Sequence, residues 1–118
     1  MPFTCKEEVN IQDLEVIHYN LLFLFAIFYQ YATYHDLPVK VTSIMEHVDG
    51  RLTKTHAQGR AIDLSLKGWT EEHIKDVSDI LNTHCKDIAA ISASDGVPRA
   101  VVVHGKDENR HFHLQVKP

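Results

Sequence analysis

At 118 residues and 44% hydrophobic, the chain is long enough to bury one core without disulfide staples, so a single domain spanning 1–118 is expected. A net charge of -4, with 12 Lys and Arg scattered rather than clustered, excludes the electrostatic footprint of a nucleic-acid binder. The two cysteines, Cys5 and Cys85, make neither a CxxC pair nor a disulfide framework; both are expected reduced, with Cys85 in the core.

Met1 to Asn10 carries Lys6, Glu7 and Glu8 with no apolar stretch or small-residue cleavage site, so no secretory signal is read there. From Ile11 to about Tyr34 the positions Leu14, Ile17, Leu21, Leu24, Phe25 and Phe28 follow helical spacing, with Asn10 as a possible cap. Its longest apolar run, Leu21 to Tyr29, is about half of what a membrane-spanning helix needs, so the helix is expected to be deeply packed and not an anchor. Asp36-Leu37-Pro38 ends it. Val39 to Ile44 alternates and is β-branched, predicting a strand, and a polar loop follows from about Glu46 to Gln58.

Ala61 to Leu64 predicts a second strand, and Thr70 caps a helix with Glu71 and Glu72 in its first turn and Ile74, Val77, Leu81 and Cys85 on its buried face. Arg99 to His104 and His111 to Lys117 predict two further strands around the polar turn 105–109. This order predicts an α+β domain, helices packed on a mainly antiparallel sheet.

Nine histidines are many for this length, and two segments bring them near a carboxylate: Thr55-His56-Ala57-Gln58-Gly59-Arg60-Ala61-Ile62-Asp63 and His111-Phe112-His113. Gly59 permits a left-handed backbone between a loop-borne His56 and a strand-borne Asp63, and small Ala61 leaves room beside them. In the last strand Phe112, Leu114 and Val116 share one face while His111, His113 and Gln115 share the other. Two His and one Asp would give a divalent ion three protein ligands and leave a fourth position for water, the pattern of catalytic zinc.

These paired motifs resemble the superfamily of zinc D,D-carboxypeptidases, D,D-dipeptidases and L-alanyl-D-glutamate endopeptidases, with murein endopeptidase, phage endolysin and hedgehog-domain relatives. The resemblance covers the chain from about Val39 onward. It implies a hedgehog or D,D-peptidase-like fold, zinc as cofactor, and His56, Asp63 and His113 as ligands. His111 would then act beside the metal, with Glu108 as the alternative base. A second register stays open, because Glu108-Asn109-Arg110-His111 fits the Glu-x-x-His pattern of some members, with His111 as the ligand.

The chain departs from the family in having Lys54 where many members carry Ser, and no Arg before Arg51, where Glu46 and His47 stand instead. Arg51, Arg60 and Arg99 are the candidate grips for a substrate carboxylate, each weighed against an ordinary surface charge. His18, His35, His47, His73, His84 and His104 are assigned to surface or structure, His104 being notable for its strand-end position. The expected substrate is a peptidoglycan peptide, cut by a monomer that is cytoplasmic until released, or virion-associated, and acts at the bacterial cell wall. The alternative is a non-catalytic zinc-containing binding or structural module, hedgehog-like or from a virion tail.

Overall fold

The computed structural model describes residues 4–6, 17–44, 59–92 and 95–118, apart from the side chain of Glu108. In chain order these form β1 (Thr4–Cys5), α1 (Tyr19–Tyr34), β2 (Lys40–Ser43), β3 (Ala61–Ser65), α2 (Glu71–His84), β4 (Ala90–Ile91), β5 (Pro98–Arg99), β6 (Val101–His104) and β7 (His111–Gln115). Five strands make one sheet in the order β1-β2-β3-β7-β6, and β4 pairs with β5 separately. Among the described residues only β1 and β2 run parallel and the other pairings are antiparallel, giving the mainly antiparallel sheet expected.

The first helix starts later than its spacing suggests. His18 is extended (ψ 137°), and its imidazole Nδ1 accepts the Asn20 N–H at 3.1 Å, so α1 begins at Tyr19 and not at Ile11. Asn10, the expected cap, lies outside the described residues. The end is as expected and has a clear mechanism: Asp36 adopts a left-handed φ of 56°, the Leu37 N–H reaches the Ala32 carbonyl at 2.8 Å, and the Asp36 N–H reaches that of Thr33 at 3.2 Å. That double bond pattern satisfies carbonyls that a helix end otherwise leaves open.

Leu21, Leu24, Phe25, Phe28 and Ala32 of α1 are buried, but Tyr19, Leu22 and Phe23 stay exposed on the other side, so the expected deep packing holds for one face only. Among the described residues no helix is long and apolar enough to cross a membrane. Helix α2 matches its sequence signals closely. Thr70 Oγ1 accepts the His73 N–H at 3.2 Å, two glutamates occupy the first turn, and Ile74, Val77, Leu81 and Cys85 are buried.

The strand expected from Arg99 to His104 is two pieces. Pro98–Arg99 pairs with β4, and at Ala100 the chain crosses to β7. The Asn82 side chain explains what happens next: its carboxamide takes both the N–H (2.9 Å) and the carbonyl (3.0 Å) of Val101, filling one stretch of the edge of β6 that faces away from β7. The last strand ladder ends at Gln115, with Val116 continuing the alternation through a single bridge to Ala89.

Both helices contribute to one core with Val41, Ile62, Leu64, Val101, Phe112 and Leu114, the inward residues of the sheet. Phe112 is central to it. Its ring meets Phe28 of α1 and Trp69, just before α2, edge-on at centroid distances of 4.9 Å each, and Trp69 is fixed by its Nε1–H to the Pro38 carbonyl at 2.8 Å. Truncating this ring should therefore leave a cavity shared by two helices and a strand. Phe112→Ala is expected to cost about 3–5 kcal/mol in urea unfolding, against about 0.5 kcal/mol or less for Tyr19→Ser on the exposed face. Equal costs at the two positions would contradict this packing.

Candidate functional site

The sheet face away from the core holds the candidate residues. Strict alternation sends Ile62 and Leu64 of β3 inward and Ala61, Asp63 and Ser65 outward, while β7 sends Phe112 and Leu114 inward and His111, His113 and Gln115 outward. The β3–β7 register then fixes the pairs: Asp63 opposite His113, Ser65 opposite His111, Ala61 opposite Gln115. Strand β2 adds Ser43 beside Asp63, and β6 adds His104 beside His111.

Within that frame Asp63 and His113 meet directly, with His113 Nδ1 2.8 Å from Asp63 Oδ1. The second imidazole approaches the other carboxylate oxygen, with His111 Nε2 3.7 Å from Asp63 Oδ2. Burial grades across the group: His113 is 6% exposed, whereas the side chains of Asp63 and His111 are 14% and 31% exposed. The carboxylate is thus embraced from below and reached from the solvent side. Each imidazole is also held from behind. His113 Nε2 lies 3.1 Å from Gln115 Oε1, whose amide nitrogen donates to the Arg99 carbonyl at 2.9 Å. His111 Nδ1 lies 3.0 Å from the Asn109 carbonyl and so donates to it, while Nε2, 3.7 Å from Asp63 Oδ2, lies beyond hydrogen-bond reach of the carboxylate.

Of the residues singled out in the sequence, the fold brings Asp63, His111 and His113 together. His56 and Arg51 lie outside the described residues. Glu108 sits in the 3-10 turn Asp107–Asn109 that immediately precedes β7, but its side chain is not among those described. Arg60 turns its Nη1 to the Val116 carbonyl at 2.9 Å, and Arg99 holds Asp95 through two contacts of 2.9 and 3.0 Å. Gly59 has the left-handed φ of 68° expected of it.

His104, assigned to surface or structure, stacks edge-on to His113 at 4.9 Å and lies 5.6 Å from His111. Its strand-end position was the available signal. Gln115 was placed on the correct face but given no task, because a lone amide on a strand has no signature until its neighbours are known. The free cysteines take no part: Cys85 is in the core, and burial pushes both thiols up, away from the reactive thiolate.

A carboxylate beside an imidazole, with a second imidazole close by, is a donor set that zinc accepts. Among the described residues no three His, Cys, Asp or Glu are grouped so as to hold an ion by themselves. Asp63 and His113 are the two of these side chains in direct contact. The two described cavities, of about 320 and 370 Å³, lie elsewhere, one by Tyr29 and Leu37 and the other by His35 and His73.

The turn that carries Asn109 depends on Gly105, whose φ is 85° and where a Cβ would run into the Asn109 carbonyl. Gly105→Ala should cost about 1–3 kcal/mol and displace the carbonyl that orients His111. Urea unfolding and the His111 ring signals in NMR read the two effects, and an unchanged protein by both measures would refute the coupling of turn and ring.

Compared with family models, with curated proteins and with solved structures, the chain matches none.

Proposed function

We propose that this protein is a zinc-dependent peptidase that hydrolyses a peptide bond in bacterial peptidoglycan. The observation that carries the proposal is the convergence of Asp63 with two imidazoles from a neighbouring strand, at 2.8 and 3.7 Å, on a sheet face outside the core. The motif resemblance supplies the reaction class and the third ligand, His56. Under this reading Asp63, His113 and His56 hold the ion, which when bound supplies Lewis acidity toward the scissile carbonyl and an acidified water.

The chain's own residues then divide the remaining work. His111 presents Nε2 as a proton acceptor because the Asn109 carbonyl occupies Nδ1, and its partial exposure lets it reach a substrate. Glu108, a few residues earlier, is the alternative base. The strand pairing favours His113 over His111 as ligand: it sits directly opposite Asp63, whereas His111 is one pair further along and 3.7 Å away.

One zinc ion per chain is the expected stoichiometry, lost in His56→Ala, Asp63→Ala and His113→Ala. His111→Ala should keep the metal and lose about a hundredfold or more in turnover. Metal analysis beside cell-wall digestion separates the roles: full zinc in His113→Ala with loss in His111→Ala would reverse the register, and no zinc in the unmodified protein would overturn the reading.

Cleavage within the peptide is favoured over trimming of a terminal D-alanine. A carboxypeptidase must pair its substrate's terminal carboxylate, and guanidinium is the group best shaped for that. Among the described residues the three arginines have other engagements: Arg60 with the Val116 carbonyl, Arg99 with Asp95, and Arg110 with Glu71. Mass spectrometry of digested muropeptides should show new L-alanine, D-glutamate or cross-link termini. Release of D-alanine alone would show a carboxypeptidase instead.

A further inference from the structure

We propose that Gln115 is a positioning residue that keeps a proton on His113 Nε2 and so reserves Nδ1 for a cation shared with Asp63. The argument rests on which atoms can donate. The Arg99 carbonyl can only accept, so the Gln115 amide nitrogen, 2.9 Å away, must face it, and Oε1 is thereby turned to His113 Nε2 at 3.1 Å. Reversing the amide would set oxygen against oxygen at one end. With Oε1 fixed as an acceptor, His113 Nε2 must carry hydrogen to satisfy it.

The consequence appears at the other side of the ring. Nδ1 faces Asp63 Oδ1 at 2.8 Å, a hydrogen-bond distance that two acceptor atoms can share only through a proton; a metal ion taking Nδ1 would replace that proton and need the two atoms to part, since two ligands of one zinc stand roughly 3.3 Å apart. Gln115 is well built for the task, being 7% exposed, with its backbone N–H tied to the Ala100 carbonyl at 3.0 Å and its strand position opposite Ala61. Without it, the ring could place its single hydrogen on Nδ1, donate to Asp63, and close that nitrogen to any metal. A metal-bound imidazole held through its far nitrogen by an anchored acceptor is a general way to fix ligand orientation.

The metal part of this inference rests on the zinc reading above; the proton part does not. The test compares the unmodified protein with Gln115→Leu, which removes the acceptor at similar volume, and Gln115→Glu, which keeps an acceptor there. Ring nitrogen spectra of 15N-labelled, metal-free protein at one fixed pH should show hydrogen on His113 Nε2 in the unmodified protein and in Gln115→Glu. In Gln115→Leu the hydrogen should move to Nδ1 alone. Zinc affinity, measured by chelator competition, should fall about 10–100-fold in Gln115→Leu and by only a few fold in Gln115→Glu.

A His113 Nε2 without hydrogen in the unmodified protein overturns the proposal whatever the variants do, and so does a Gln115→Leu protein with unchanged ring spectra and zinc affinity. The expected ring spectra in a protein that binds no zinc would leave Gln115 in its role and remove the metal reading alone.

Discussion

Everything at this site hangs on the register of two antiparallel strands, β3 and β7. Side chains alternate along a strand with a period of two, so slipping β7 by one residue would carry Phe112 onto the outer face and turn His111 and His113 into the core. The barrier to that slip is apolar. Phe112 and Leu114 are fully buried, with Phe112 wedged between Phe28 and Trp69, and displacing them would expose side chains worth about 1.5–3 kcal/mol each while burying two imidazoles. The hydrophobic core thereby sets the position of the polar site through the backbone of a five-residue strand.

That arrangement distributes precision unevenly. Asp63 and His113 sit in the middle of hydrogen-bonded strands, where backbone position is defined by ladders on both sides, β2 and β7 for one and β3 and β6 for the other. His111 begins its strand and takes its orientation from the Asn109 carbonyl in the preceding turn. The zinc reading proposed above would thus put its two ligands on the ladder-paired part of the sheet and its base at a strand end. Arg110, between the turn and the site, is tied to Glu71 at the start of α2 and holds that carboxyl below its usual range, so the approach to β7 is anchored to the helix layer as well.

Legibility in the sequence followed how local each signal was. Helix α2 could be read because its cap, its acidic first turn and its apolar stripe all lie within a few residues of one another, and the alternation of β7 could be read for the same reason. The left-handed Gly59 was also foreseeable, since few other residues adopt that φ easily. The start of α1 was not, because helical spacing continues upstream of His18, and an imidazole acting as cap is a weak local cue. The break at Ala100 was invisible as well, and so was the partner of the Val101 backbone just after it, Asn82, far off in sequence on another element. The grouping of Asp63 with His111 and His113 was suggested by residue type and strand alternation, whereas the supporting shell of Gln115, the Arg99 carbonyl and the Asn109 carbonyl follows only from tertiary pairing.

The burial of this polar group is itself an argument about purpose. Ser92, His113 and Gln115 are the buried polar residues among those described, and two of the three belong to the site. Apolar side chains of similar volume at these strand positions would avoid the desolvation of an imidazole and an amide, a cost of order 1–3 kcal/mol for each group left without partners. Here the partners are present: among the described residues the buried side-chain atom lacking one is Ser78 Oγ, in α2. The chain of Arg99 carbonyl, Gln115, His113 and Asp63 is closed at its inner end by a backbone acceptor and opens at its outer end on a carboxylate that a second imidazole approaches. A network built only to stabilise the sheet would need no such direction. One that is anchored inside on the Arg99 carbonyl, and whose more exposed members are Asp63 and His111, has the polarity that the zinc reading proposed above requires.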